Sequence, residues 1–397
     1  MQTLKNIDTT KALALLITLP AYVIFFIGKE PLMQGLAYVC YPVALLLILY
    51  QSKKINFPKK FMSFWLIFIL VWCIPSLINS QSNHLESDLV RLDVLFVNVF
   101  YLTSILVTFV IWFKEDASIK FNSLLSELWL ILIPIASLII MKSLYLFFIH
   151  NQIRPWPFNI DYGVASELLL IFAICSLAIK NNILKIASLT MCAIGLYILD
   201  TRSLYIPFYF LLFSILIFPY LKNFSLKGKL ISLIIFLAMI FFLQDFLLDN
   251  FFKVTDPNRN LESGITGRLM PWLVAFESIQ NNLWLGLGYW VDPATYSLPT
   301  SYPEWAFQHP AFVIHNAFLR IIVENGLLLG LLVIGLILYS VFKAIKNQLF
   351  FELCLILSIL FVLCFSTRHL TLNLSNLILY LAILVTLVNK RKTTNQK

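Results

Sequence analysis

A chain that keeps returning to runs such as LWLILIPIASLIIMKSLYLFF (128–148) has few folds open to it. Each run supplies the roughly 20 residues that a helix needs to cross a hydrocarbon core about 30 Å thick. Lipid offers the backbone no hydrogen-bonding partner, so every N–H and C=O must be satisfied internally, and helices are the reading such runs allow. Twelve follow one another, at 11–28, 32–50, 61–79, 94–113, 123–149, 163–179, 183–199, 203–220, 230–248, 323–342, 348–366 and 374–389. The sequence therefore predicts an all-α polytopic membrane protein of about twelve transmembrane helices. The first run is followed by Lys29 and Glu30 without a small-residue cleavage pattern, and reads as a retained helix rather than a signal peptide. Only 12% of the residues are charged, against about 25% in a soluble domain.

The loops assign the sides. With the N-terminus in the cytoplasm, 19 of the 29 Lys and Arg residues fall on inner segments, and 18 of those 19 are lysine. The remaining ten lie on the outer side, and seven of them are arginine: Arg91, Arg154, Arg202, Arg259, Arg268, Arg320 and Arg368. Both termini are then cytoplasmic, and the positive-inside bias is met at every loop. The net charge of +9 is mostly a topogenic lysine signal, so nucleic acid is not implied as a partner. Arginine brings more than charge, because its planar fork grips phosphate or carboxylate through two parallel bonds. The five histidines, His84, His150, His309, His315 and His369, also map to the outer side. Whatever chemistry the chain performs is expected there. The six cysteines fall inside the spans without close pairing, and read as buried apolar filler rather than disulfides or metal ligands.

The chain divides into helices one to nine (1–248), one long outer loop (249–315), and helices ten to twelve with a cytoplasmic tail (316–397). Within the loop, SGITGRLMPWLVAFESIQNN (263–282) predicts a short amphipathic helix after a glycine-rich entry. Gly264 and Gly267 permit close backbone approach, and Pro271 suits a first helical turn. Trp272, Val274, Ala275 and Phe276 are placed on the membrane interface, where aromatic rings are favoured. LGLGYW (285–290) is a flexible or tightly turned exit. Arg268 stands at the start of the helix, where backbone N–H groups also favour an anion, although an interfacial arginine can equally pair with lipid headgroups. Arg202, in LDTRSLY (199–205), lies at an outer turn and has a possible salt-bridge partner in Asp200.

The stretch VIHNAFLRIIVENG (313–326) is unusually polar for the start of a membrane helix. Asn316, Arg320 and Glu324 are four apart and share one stripe, which makes Arg320–Glu324 an intrahelical pair that orients the helix. His315 falls on another side, with Phe318, Leu319 and Ile322. An imidazole there can be a satisfied interfacial residue or a general base at neutral pH. His309 is a weaker candidate for the same role. A metal-spaced His/Asp/Glu set, a P-loop, a GxSxG elbow and a CxxC pair are all missing from the sequence, so metal-dependent hydrolysis, nucleotide-driven transport and serine hydrolysis lose support.

TRSLY (201–205), GITGRLMPW (264–272) and HNAFLRIIVENGLLLG (315–330) together resemble the O-antigen ligase/polymerase superfamily of bacterial envelope enzymes. The resemblance implies a multi-helix protein of the bacterial inner membrane, with one long periplasmic loop and an active site facing the periplasm. It implies transfer of a glycan from undecaprenyl diphosphate to a hydroxyl acceptor, without metal or other cofactor. Carried over by position, Arg202 and Arg268 bind the diphosphate and His315 is the base. Asn316, Arg320, Glu324, Gly267 and Trp272 support them.

The acceptor is the lipid A–core oligosaccharide in a ligase and a growing glycan in a polymerase, and the motifs do not separate the two. The second candidate outer loop, His150 to Asp161, is short, which leans toward a ligase; a protein acceptor is a third possibility. Arg154, Arg368, His309 and His369 stay open as further contributors. A lipid-linked-glycan flippase or secondary transporter is the alternative outside enzymes. Against it, Glu127, Lys142, Glu167, Asp245 and Glu352 lie toward span ends rather than at the midplane.

Overall fold

The computed structural model describes residues 8–27, 30–51, 59–81, 92–113, 116–152, 157, 162–199, 201, 204–205, 207–212, 220, 223–232, 234–235, 238–239, 272, 275–280, 282–287, 316–364 and 374–388. Among these residues the fold is all-helical. The helices are α1 (Thr9–Ile27), α2 (Glu30–Gln51), α3 (Lys59–Gln81), α4 (Leu92–Trp112), α5 (Ala117–His150), α6 (Tyr162–Ser176), α7 (Asn182–Leu199), α8 (Ala317–Lys346), α9 (Phe350–Cys364) and α10 (Leu374–Val388). The expected spans one to seven, eleven and twelve each overlap one of these helices, and the tenth falls within α8. The eighth and ninth, 203–220 and 230–248, are described in part, with helical residues at 207–212 and 226–232. Among the described residues three helices, α5, α7 and α8, are long and apolar enough to cross a membrane.

α5 shows how local chemistry sets these elements. Its 34 residues make a rod about 51 Å long at 1.5 Å per residue. Asp116 and Asn151 bound it, both in the left-handed conformation that short polar side chains tolerate. Pro134 sits inside it, as Pro42 does inside α2, without ending the helix. One face is fully buried through Phe121, Leu124, Leu128, Leu132 and Ile139, while Leu130 and Met141 are exposed on the opposite face. An exposed apolar face of this kind suits lipid rather than water.

α5 packs against α1, α6, α7 and α10, and α10 in turn touches α1, α4, α6, α8 and α9, so these two helices form the axis of the bundle. Polar side chains tie neighbours together inside it. The Trp65 indole donates to Thr103 at 3.0 Å between α3 and α4. The Trp129 indole donates to Ser188 at 2.9 Å between α5 and α7. Cys40, Cys73, Cys175, Cys192 and Cys354 are buried free thiols, as apolar filler would be.

The two ends of the bundle differ. At one, Lys120 donates to the Trp112 carbonyl at 2.7 Å, Lys343 to the Leu387 carbonyl, and Ser118 to Glu352 at 2.9 Å. Lys229 lies over the Phe350 ring, 5.4 Å from its centroid. Lysines thus gather where α4 ends, α5 begins and α8 ends. The opposite end holds His150, Thr201 and the start of α8.

The tenth span requires a correction. It was expected as one helix over 323–342, yet α8 begins at Ala317 and is interrupted at Gly326, whose φ of 80° and ψ of 171° are not helical. The polar stretch 317–325 is a short helix of its own, and the apolar membrane segment starts only after the break.

Candidate functional site

The short helix is fixed at its start by Asn316. Its backbone is extended, and its side-chain oxygen accepts from the N–H groups of Phe318 at 3.0 Å and Leu319 at 3.1 Å. Two of the four donors that a helix start leaves without a partner are met in this way. Sequence reasoning placed Asn316 on the Arg320–Glu324 stripe and missed the cap, although asparagine directly before an amphipathic run is the usual signal for one. Asn316→Ala is expected to destabilise the protein by about 1 kcal/mol, and Asn316→Ser to restore most of the loss, measured by thermal unfolding in detergent.

From the cap onward each face of the helix has its own neighbour. Phe318 and Ile321 pack on the main core of the bundle. Leu319 and Val323 turn instead to the loop helix at 275–280, where Ala275 and Val323 form a small buried cluster covered by Trp272, Ile279 and Leu287. The expectation for the loop helix therefore changes. Ala275 is 1% exposed and Trp272 is half-buried against protein, whereas Phe276 is exposed and Val274 lies outside the described residues. Among the described residues, the buried Trp272 indole N–H has no hydrogen-bond partner.

On the third face Arg320 and Glu324 pair as their spacing requires, with Arg320 Nε donating to Glu324 Oε1 at 2.9 Å. The Glu324 side chain is only 2% exposed and that of Arg320 14%. A carboxylate so far from water needs its cation, and the pair holds the helix in its orientation. Asn325 is buried beside it, donating to the Ile321 carbonyl at 3.3 Å, and its own carbonyl oxygen has no partner among the described residues.

The turn after α7 is anchored as well. Thr201 hydrogen-bonds Ser166 of α6, and Tyr205 donates to the Leu196 carbonyl at 3.1 Å. Glu167 is buried next to Ser166. Arg202, Arg268, His315 and Gly267 lie outside the described residues, as do Arg154, His309, Arg368 and His369. The segments that lead to three of the candidates are nevertheless in place. Thr201 directly precedes Arg202, the cap Asn316 directly follows His315, and Trp272 is four residues beyond Arg268.

Residues 282–287, read from sequence as a flexible or tightly turned exit, form a tight turn closed by Gly286 N–H on the Asn282 carbonyl at 2.9 Å. The turn seats itself in the break of α8. Leu287 N–H donates to the Val323 carbonyl and Leu327 N–H to the Leu283 carbonyl, both at 2.8 Å.

Residues 186–334 match the family model described as O-antigen ligase. The match opens in α7 and closes in α8, and so includes the Thr201 turn, the loop helix, the 282–287 turn and the break. Among curated proteins, none matches the chain.

Proposed function

We propose that this membrane protein, whose residues 186–334 match the family model described as O-antigen ligase, is a ligase moving a glycan from undecaprenyl diphosphate to a sugar hydroxyl of lipid A–core. The reaction takes place at the periplasmic face of the bacterial inner membrane. In this reading the chain crosses twelve times with both termini in the cytoplasm. Residues 1–248 hold the first nine helices, 249–315 the periplasmic loop, and 316–397 the last three helices and the tail.

The observation that carries the reading is the coincidence of the matched segment with one built structure. A helix whose cap directly follows His315 is packed on the loop helix that follows Arg268. Both stand at the end of the bundle away from the lysines. In the proposed step an acceptor hydroxyl attacks the anomeric carbon. The bond from that carbon to the diphosphate oxygen breaks, and the electron pair leaves on undecaprenyl diphosphate. His315 takes the hydroxyl proton, while Arg202 and Arg268 hold the diphosphate as its charge grows. One displacement inverts the anomeric configuration. No metal or cofactor is called on, and Gly267, Trp272, Asn316, Arg320 and Glu324 hold the site in shape.

Deleting the gene and resolving lipopolysaccharide on a gel tests the assignment. Loss of a ligase is expected to leave bare core while lipid-linked polymer accumulates. Core capped by a single repeat would instead assign the polymerase reaction, with the same donor and a growing glycan as acceptor. The break in α8 favours a second reading, because secondary transporters build their substrate sites on interrupted helices. That break lies nine residues into α8 rather than near its middle, and the buried Lys229, Glu324 and Glu352 sit near helix starts or at the break, whereas Glu167 is buried six residues into the 15-residue α6. An unchanged gel with altered uptake would decide for transport.

A further inference from the structure

The turn at 283–287 does more than touch α8; it replaces a rung of it. In an uninterrupted helix Leu327 N–H would donate to the Val323 carbonyl, four residues back. The break at Gly326 separates these two groups. The Val323 carbonyl is met instead by Leu287 N–H and the Leu327 N–H by the Leu283 carbonyl, each at 2.8 Å. Residues 283 and 287 are themselves four apart, so the turn spans the gap like a strap, and both severed groups stay satisfied where water is scarce.

Only glycine fits at the two points of closest approach. Gly286 has φ 66°, and a Cβ there would stand 2.5 Å from Gly326 N and 2.6 Å from the Glu324 carbonyl carbon. Gly326 has φ 80°, and a Cβ there would stand 2.0 Å from the Trp284 carbonyl oxygen. These neighbours are backbone atoms and cannot rotate away. The strap is also continuous with the loop helix 275–280, whose Ala275 is buried against Val323 on the short helix.

We propose that Gly286 and Gly326 are positioning residues for glycan transfer. Through their contact the strap sets the angle between the 317–325 helix and the membrane part of α8. It thereby fixes the segment after His315 relative to the segment after Arg268. This inference rests on the reading of His315 as the base. A displacement of about 1 Å in a reacting group can slow a reaction on the order of 100-fold, so a contact that admits no Cβ is a sensitive place to hold two such groups in register.

The test uses purified full-length protein, single-turnover transfer from lipid-linked glycan, and binding of undecaprenyl diphosphate as a separate probe. Gly286→Ala and Gly326→Ala are expected to slow transfer by about 100-fold while the dissociation constant of undecaprenyl diphosphate moves by less than about 3-fold. Gly335→Ala, in the same helix but with open space around the new methyl, is expected to transfer like wild type. Should either of the first two fail to fold, an amide-to-ester exchange at Leu327, with the α-hydroxy acid analogue of leucine incorporated in its place, gives a milder cut. The ester keeps the side chain and the backbone shape and removes only the N–H that reaches Leu283, so a smaller loss of rate with unchanged binding is expected.

Wild-type rates in the folded glycine variants or in the Leu327 ester would overturn the proposal. So would a parallel loss of binding and rate, which marks general damage rather than misplacement. His315→Ala run alongside separates the two claims. If it transfers normally the histidine reading falls, and if it is inactive while the glycine variants are active the strap alone falls.

Discussion

Replacing His315 by alanine is expected to lower the transfer rate by about 10²- to 10⁴-fold, the range that a positioned general base contributes. A sugar hydroxyl is a poor nucleophile until its proton has somewhere to go, and the attack forms a bond only as that proton leaves. Because the neutral imidazole is the reactive form, wild-type activity should fall on the acid side of its pH profile. In His315→Ala that acid limb should disappear, leaving a slow rate with little pH dependence. The variant keeps Asn316 and therefore keeps the cap, whose side-chain oxygen holds the N–H groups of Phe318 and Leu319. Its thermal unfolding should match wild type, which separates lost chemistry from lost structure. A rate within about 3-fold of wild type would remove the histidine from the mechanism.

The parts of the structure that were legible in the sequence are those decided over one or two helical turns. Apolar runs become helices in lipid because the backbone has no other partner, so α5 and α7 fall where their hydropathy places them. Arg320 and Glu324 meet because side chains four apart on a helix are neighbours whatever surrounds them. The break in α8 was not legible, since ENGLLLGLLVIG (324–335) reads as an apolar run with tolerated glycines. What interrupts the helix is a contact with residues about 40 positions earlier, which no local pattern contains. The Asn-Gly pair at 325–326 was the available local hint, as such pairs favour turns. The partner of the loop helix was hidden for a related reason. An apolar face made by Trp272 and Ala275 has the same spacing whether it meets lipid or another helix, and here it meets Leu319 and Val323.

That packing bears on the arginines, because it brings the helix after Arg268 against the helix after His315. If Arg202 and Arg268 hold one diphosphate, removing either should cost about 10²- to 10³-fold in kcat, as loss of a donor to a developing anion does. Lysine keeps the charge but not the planar pair of donors, so Arg268→Lys should recover little of what Arg268→Ala loses. The partition between constants is the sharper measurement. A group that grips ground state and transition state alike would raise KM alone, whereas one that meets charge growing on the leaving oxygen lowers kcat. Two arginines on one diphosphate should also fail to act independently. Arg202→Ala combined with Arg268→Ala is expected to fall well short of the product of the single losses, because the first removal already frees the leaving group from its grip. Fully multiplicative losses would place the two side chains on different ligands, and a rise in KM at constant kcat would make Arg268 an anchor for lipid headgroups rather than a partner in bond cleavage.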